Sequence, residues 1–170
     1  RKSRINLRTG SEVDGLREAG HLAADILRQC SEMVAPGITT GEIDEAAGAL
    51  IEKSGCTSAF LGYRGFPGNI CISTDEEVVH GIGGKRVLEE GSVVKIDVGI
   101  LTPAGWIGDN AKTIPVGVVS EEAESLLAAT EESLYVAIDH ARPGELLSEL
   151  CRSVEKSVQV HGYTVVKQFV

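Results

Sequence analysis

One order of elements (helix, Pro-Gly, helix, Gly) occurs twice in this chain at a single spacing. Pro36-Gly37 returns as Pro143-Gly144, and Gly55 returns as Gly162, each 107 positions later. Between them Glu42 matches Glu149, Ile43 matches Leu150 and Ile51 matches Val158 at the same offset. Two isolated matches can arise by chance, but a whole order of elements at one offset reads as an internal duplication. Such a chain has to fold as two related units, with a site where they meet and each unit supplying part of it. Copy one covers about 11–118, behind an N-terminal arm at 1–10. Copy two begins near Ser120 and runs only 51 residues, to Val170. The chain is therefore expected to be a fragment, 11–170 being one incomplete domain.

Periodicity supplies the elements. Val13, Leu16, Ile26, Leu27, Cys30 and Met33 fall at helical spacing across 11–34, and Pro36-Gly37 stops that helix. Thr39-Thr40-Gly41-Glu42 reads as a capping box that opens a second helix, ended at Gly55. A third helix follows Ser120 to about 141, and a fourth spans about 145–160. An apolar stretch over 163–170 reads as a strand. Helices and strands in this order give an α+β class, with helices on one side of a mostly antiparallel sheet.

Within copy one, 92–101 (SVVKIDVGIL) alternates and is β-branched, and 105–116 (GWIGDNAKTIPV) returns after a Pro/Gly break. Alternation puts Val94, Ile96, Val98 and Ile100 on one face and Lys95, Asp97 and Gly99 on the other. A turn centred on Pro103 makes Asp97 face Asp109. Directly opposed residues hold their Cβ atoms about 4.5–5.5 Å apart, where like charges repel. Two facing carboxylates in an apolar strand pair call for a shared proton or a shared cation. Gly99 and Gly108 would leave room for a ligand to approach. Two carboxylates do not complete a divalent site, because hard cations take about six ligands and zinc about four.

Other residues invite chemistry. His80 precedes Gly81-Ile82-Gly83-Gly84, where a ligand could reach it and where it could donate a hydrogen bond or shuttle a proton. No Walker-type phosphate loop is present. Residues 61–68 form the densest aromatic loop in a chain with only 4% aromatics, and such a loop either packs over a core or walls an apolar pocket. Cys71 reads as a buried strand thiol. It and Cys30, Cys56 and Cys151 show no C-x-x-C spacing, which points to reduced thiols and a cytoplasmic protein. A net charge of −9 argues against direct nucleic-acid binding. The basic start (Arg1, Lys2, Arg4, Arg8) lacks a signal-peptide pattern, and no apolar run approaches the roughly 18 residues of a membrane helix.

Taken in order, Leu61-Gly62-Tyr63, Gly65-Phe66-Pro67, Cys71-Ile72-Ser73, Val79-His80-Gly81-Ile82, Lys95-Ile96-Asp97-Val98 and Gly108-Asp109 resemble type I methionine aminopeptidases. The resemblance runs from about residue 11 to the end. It implies the pita-bread fold, two related halves around a sheet, with the second half truncated here. It also implies two divalent ions (cobalt, manganese, iron or zinc, between which the sequence does not choose). Asp97 and Asp109 would be two of their five ligands, and a His and two Glu would follow Val170. His80 would contact the substrate as a catalytic group, and Tyr63, Phe66, Cys71 and Phe60 would line a methionine pocket. The implied partners are nascent peptide N-termini, met at the ribosome, with a monomer at full length and no activity from the 170 residues alone. Ile107 stands where the family has His, and the hairpin turn is one residue longer than in the family. An X-Pro dipeptidase or creatinase-like enzyme of the same fold is the rival reading. A non-catalytic binding protein is a third, which keeping both Asp97 and Asp109 disfavours.

Overall fold

The computed structural model describes residues 6–167, so Arg1, Lys2, Arg4 and the stretch 168–170 lie outside the described residues. The chain divides into two compact units, one up to Val119 and one from Ser120.

In the first unit, helix α1 (Ser11–Glu32) buries Ala19, Ala23, Ile26, Leu27 and Cys30, a stripe at helical spacing. Leu16, expected in that stripe, is exposed, and two alanines take the inward positions instead. Helix α2 (Thr40–Lys53) opens on the expected capping box: the Thr39 side chain accepts from the Glu42 N–H, and the Glu42 carboxylate accepts from the Thr39 N–H at 2.8 Å. Strands β1 (Thr57–Ser58), β2 (Cys71–Thr74), β3 (Val93–Leu101) and β4 (Ile107–Pro115) form one antiparallel sheet. Strand β3 is central, with β4 along one edge and β1 and β2 end to end along the other. Val94, Ile96, Val98 and Ile100 are fully buried on the helix side, with Ile26, Leu27, Ile43, Ala47 and Ile51 in the same core. Each such aliphatic side chain contributes about 1.5–3 kcal/mol by leaving water.

The hairpin register differs from the one expected. Leu101 pairs with Ile107, Gly99 with Asp109 and Asp97 with Ala111. The turn is centred on Ala104: Thr102 donates to the Trp106 carbonyl and Gly105 donates to the Thr102 carbonyl, both at 2.9 Å. Gly105 sits at φ 86, so it closes a three-residue loop with a left-handed last position and cannot join the ladder. Asp97 and Asp109 therefore share a face as diagonal neighbours, not as a directly opposed pair.

Two glycines on the helix side behave oppositely. Gly108 lies flat beneath α1, where an added Cβ would run into the Ala19 carbonyl. Next to it, Asn110 donates to the Gly20 carbonyl at 3.1 Å. A Cβ at Gly20 itself would meet nothing within 4 Å. Gly20→Ala is expected to stabilise the protein by about 0.5–1 kcal/mol, read as a raised urea midpoint with unchanged slope.

In the second unit, α3 (Glu121–His140) is capped by the Ser120 side chain, which accepts from the Ala123 N–H at 3.2 Å. Helix α4 (Leu147–Gln159) follows. Gly37 and Gly144, a repeat apart, have φ 96 and 93; Gly55 and Gly162 have φ 76 and 82. Leu146, at the place of Thr39, gives α4 no side-chain cap. Residues 163–167 form no strand, in contrast to the expectation for 163–170. A strand needs a ladder partner, and the described sheet belongs wholly to the first unit. Among the described residues no helix is long and apolar enough to cross a membrane.

Candidate metal-binding and substrate-facing site

The sheet face away from α1 collects much of the chemistry. Cys71 on β2 pairs with Asp97 on β3, while Asp109 on β4 stands opposite Gly99, two positions further along. Asp97 is half-buried and Asp109 exposed. One oxygen of Asp97, Oδ1, is buried without any hydrogen-bond partner. Burial first, then the Asp109 charge, raises the Asp97 carboxyl to about 6, and the nearby His80 opposes that shift. Burial together with Asp97, Asp109 and Asp44 pushes the Cys71 thiol up to about 11, so it stays a protonated, inert thiol at neutral pH. Cys30, Cys56 and Cys151 are likewise free.

His80 reaches this face through an edge segment beside β2. Ile72 donates to the Gly81 carbonyl at 2.9 Å, the Gly81 N–H donates to Ser73 Oγ at 2.9 Å, and Cys71 bridges Ile82. The side chain of His80 is exposed and its backbone is held at φ 60, a conformation that costs a non-glycine residue free energy. At Gly81 a Cβ would strike the Ile72 carbonyl, so only glycine lets the segment lie this close. The approach to His80 is tied down at Asp75. Its carboxylate accepts from Val93 N and Arg86 at 3.0 Å, and its carbonyl accepts from Lys95 Nζ at 2.6 Å.

The aromatic residues divide. Phe60 lays its ring over Gly99, where an added Cβ would be 2.5 Å from Cζ, so Gly99 seats an aromatic ring and is not an open approach for a ligand. Gly108 is not open either, being packed under Ala19. Phe66 is half-buried beside Gly68. Tyr63 is 64% exposed and stacks with Arg64, its guanidinium 5.4 Å from the ring centroid. Ile107 is exposed. Two open grooves lie elsewhere, one of about 470 Å³ between α1 and α2 and one of about 430 Å³ between α1 and β4. Neither is lined by any of these residues.

Sequence reasoning passed over Asp44, Asp75 and the tie made by Lys95. Lys95 could have been found, since alternation already put it on the face of Asp97. Asp44 and Asp75 bond to partners far along the chain and carry no local signal.

Among the described residues no group of three or more His, Cys, Asp or Glu is arranged to hold a metal ion. Even so, the bare buried oxygen of Asp97 and a second carboxylate on the same face fit a divalent cation, as part of a ligand set. Residues 14–170 match metallopeptidase family M24. The chain belongs to that family. Its M24 relatives include methionine aminopeptidase 1 of Bacillus subtilis, 41% identical over 98% of this chain. Among solved M24 structures, methionine aminopeptidase from Rickettsia prowazekii is 31% identical with a TM-score of 0.95, and the match covers 98% of this chain. An Xaa-Pro dipeptidase from Bacillus anthracis matches at TM-score 0.80 and 21% identity over 92% of this chain and 42% of that one, which is likeness of fold alone. The chain spans 66% of the length of both methionine aminopeptidases. The fold is the pita-bread fold, as expected, and the M24 family is one of metal-dependent peptidases.

Proposed function

We propose that this M24 chain carries the first-half contribution to a metal-dependent methionine aminopeptidase, which removes the initiator methionine from nascent peptides. The observation that carries the reading is the unpartnered buried oxygen of Asp97, on one face with Asp109, Cys71 and the Phe60 ring. Asp97 and Asp109 would hold two divalent ions together with a His and two Glu from the second half of the fold. Bound metal supplies Lewis acidity for hydrolysing the peptide bond.

The rest falls to the chain itself. His80, exposed at the edge beside β2, would hydrogen-bond the reacting peptide group and hold its orientation. Cys71, neutral because its thiol is raised, and the Phe60 and Phe66 rings would offer a soft apolar wall to a thioether side chain. Tyr63 would belong to the rim of that wall, given its exposure. The duplicated backbone turns at Gly37/Gly144 and Gly55/Gly162 support reading the second unit as the start of a second copy.

The complete protein is expected to release methionine from a Met-Ala-Ser peptide and to turn over an X-Pro dipeptide at least about a hundredfold more slowly in kcat/KM, the scale set by losing side-chain complementarity. The opposite preference would identify an X-Pro dipeptidase. A metal-free protein inactive on both would identify a binding protein.

A further inference from the structure

We infer that Asp44 is a positioning residue that sets the aromatic loop against the His80 segment, and so controls how tightly the substrate side chain is held. This rests on the peptidase reading above. Asp44 lies on α2, outside the carboxylate pair, yet two segments of the site converge on it. Its Oδ1 accepts from Asn69 N at 2.8 Å and Ile70 N at 3.0 Å. Its Oδ2 and its own carbonyl accept from Asn69 Nδ2 at 2.9 and 3.2 Å. Asn69 in turn lies flat on α2, where a Cβ at Gly48 would be 2.8 Å from its Nδ2. These bonds fix the foot of the aromatic loop immediately before Cys71. At the loop's other end Ser58 Oγ donates to the Asn69 carbonyl at 2.6 Å, so both feet close on one residue that Asp44 holds.

The second segment is the glycine strip after His80. A Cβ at Gly83 would come within 2.6 Å of Asp44 Cβ, so the strip is packed against the same side chain. Gly41 donates to the Gly84 carbonyl at 2.8 Å, and Gly84 donates to Thr40 Oγ1 at 3.0 Å, which seats the strip on the first turn of α2. The aromatic loop and the glycine strip are therefore seated on one side chain, the loop through the Asp44 carboxylate and the strip against its Cβ. A bidentate acceptor with three donors around it holds that arrangement more firmly than apolar packing would.

Asp44→Asn keeps the size but turns a donor toward Asn69 Nδ2. In the complete protein it is expected to raise KM for a Met-Ala-Ser peptide about tenfold while kcat stays within about threefold, the pattern of lost ground-state binding. Bound metal, measured by elemental analysis, is expected to match wild type, and backbone amides of 60–70 are expected to exchange faster with deuterium. Gly83→Ala, which presses on Asp44 from the other side, is expected to raise KM in the same way and serves if Asp44→Asn does not fold. An unchanged KM in the folded variants, or a kcat that falls together with metal content, overturns the positioning role. A wild-type protein that does not cleave the Met peptide overturns the proposed function instead; the exchange of 60–70 in Asp44→Asn then decides alone, and unchanged exchange refutes the role.

Discussion

Asp97→Asn is expected to strip the protein of bound metal and lower kcat/KM on the order of a thousandfold, yet to make the metal-free protein more stable above about pH 6. The first effect follows from the proposed role of Asp97 as a charged ligand and from the electrostatic stabilisation a bound ion would supply. The second follows from the sign of the shift. The Asp97 carboxyl stands at about 6 in the fold against 3.8 for a free side chain, raised by burial and by Asp109. Between those values the native state holds more protons than the unfolded one, so stability falls as pH climbs from about 4 to 6 and stays reduced above it. Asparagine does not ionise and escapes that loss. After allowing for solvent screening of a carboxylate only half buried, the gain at pH 8 is about 1–2 kcal/mol. With metal present the order reverses, because only wild type gains stability from the bound ion. Melting in a chelator at pH 5 and pH 8, with metal content and turnover measured alongside, tests all three points. A variant no more stable than wild type at pH 8, or one that keeps its metal, would refute the argument.

Gly108→Ala is expected to destabilise the protein by about 3 kcal/mol. The new Cβ would meet the Ala19 carbonyl, which is helix backbone and cannot swing aside. Helix α1 would have to lift from β4, stretching the bond from Asn110 to Gly20 and exposing the face of Ala19 and Ala23. Urea unfolding should show the midpoint fall while Gly20→Ala, one residue along the helix, moves it the other way. Equal midpoints for the two variants would mean that α1 does not rest on Gly108. A tilt of β4 also moves Asp109, so metal affinity should weaken in Gly108→Ala and not in Gly20→Ala.

Much of this was legible in the chain, for local reasons. The cap at Thr39, the stop after α2 at Gly55 and the alternation of β3 each depend on neighbours a few residues away. Alternation has only two outcomes, so the shared face of Asp97 and Asp109 survived a shift of the register by two. The register differs by two from one pivoting on Pro103, because the turn is centred on Ala104. The turn instead uses the left-handed freedom of Gly105, and a turn's centre depends on which residue takes that conformation. Gly99 and Gly108 look alike in sequence, and neither is the opening a glycine suggests: one lies beneath a phenylalanine ring, the other beneath a helix. Asp44 was invisible for a further reason. A polar residue on an amphipathic helix ordinarily faces solvent, and its bonds here close a gap of 25 positions to Asn69.

Strands β1 and β2 lie end to end along one side of β3, and the aromatic loop emerges at the gap between them, opposite Gly99. The loop is thus a detour in an edge strand, not a link between separate layers. Its length and side chains can change without moving β3, β4 or the carboxylates they carry. On the function proposed above, a peptidase built this way would exchange the shape it recognises while its two carboxylates stay where they are. Grafting a loop between relatives of different preference is then a practical route to new specificity.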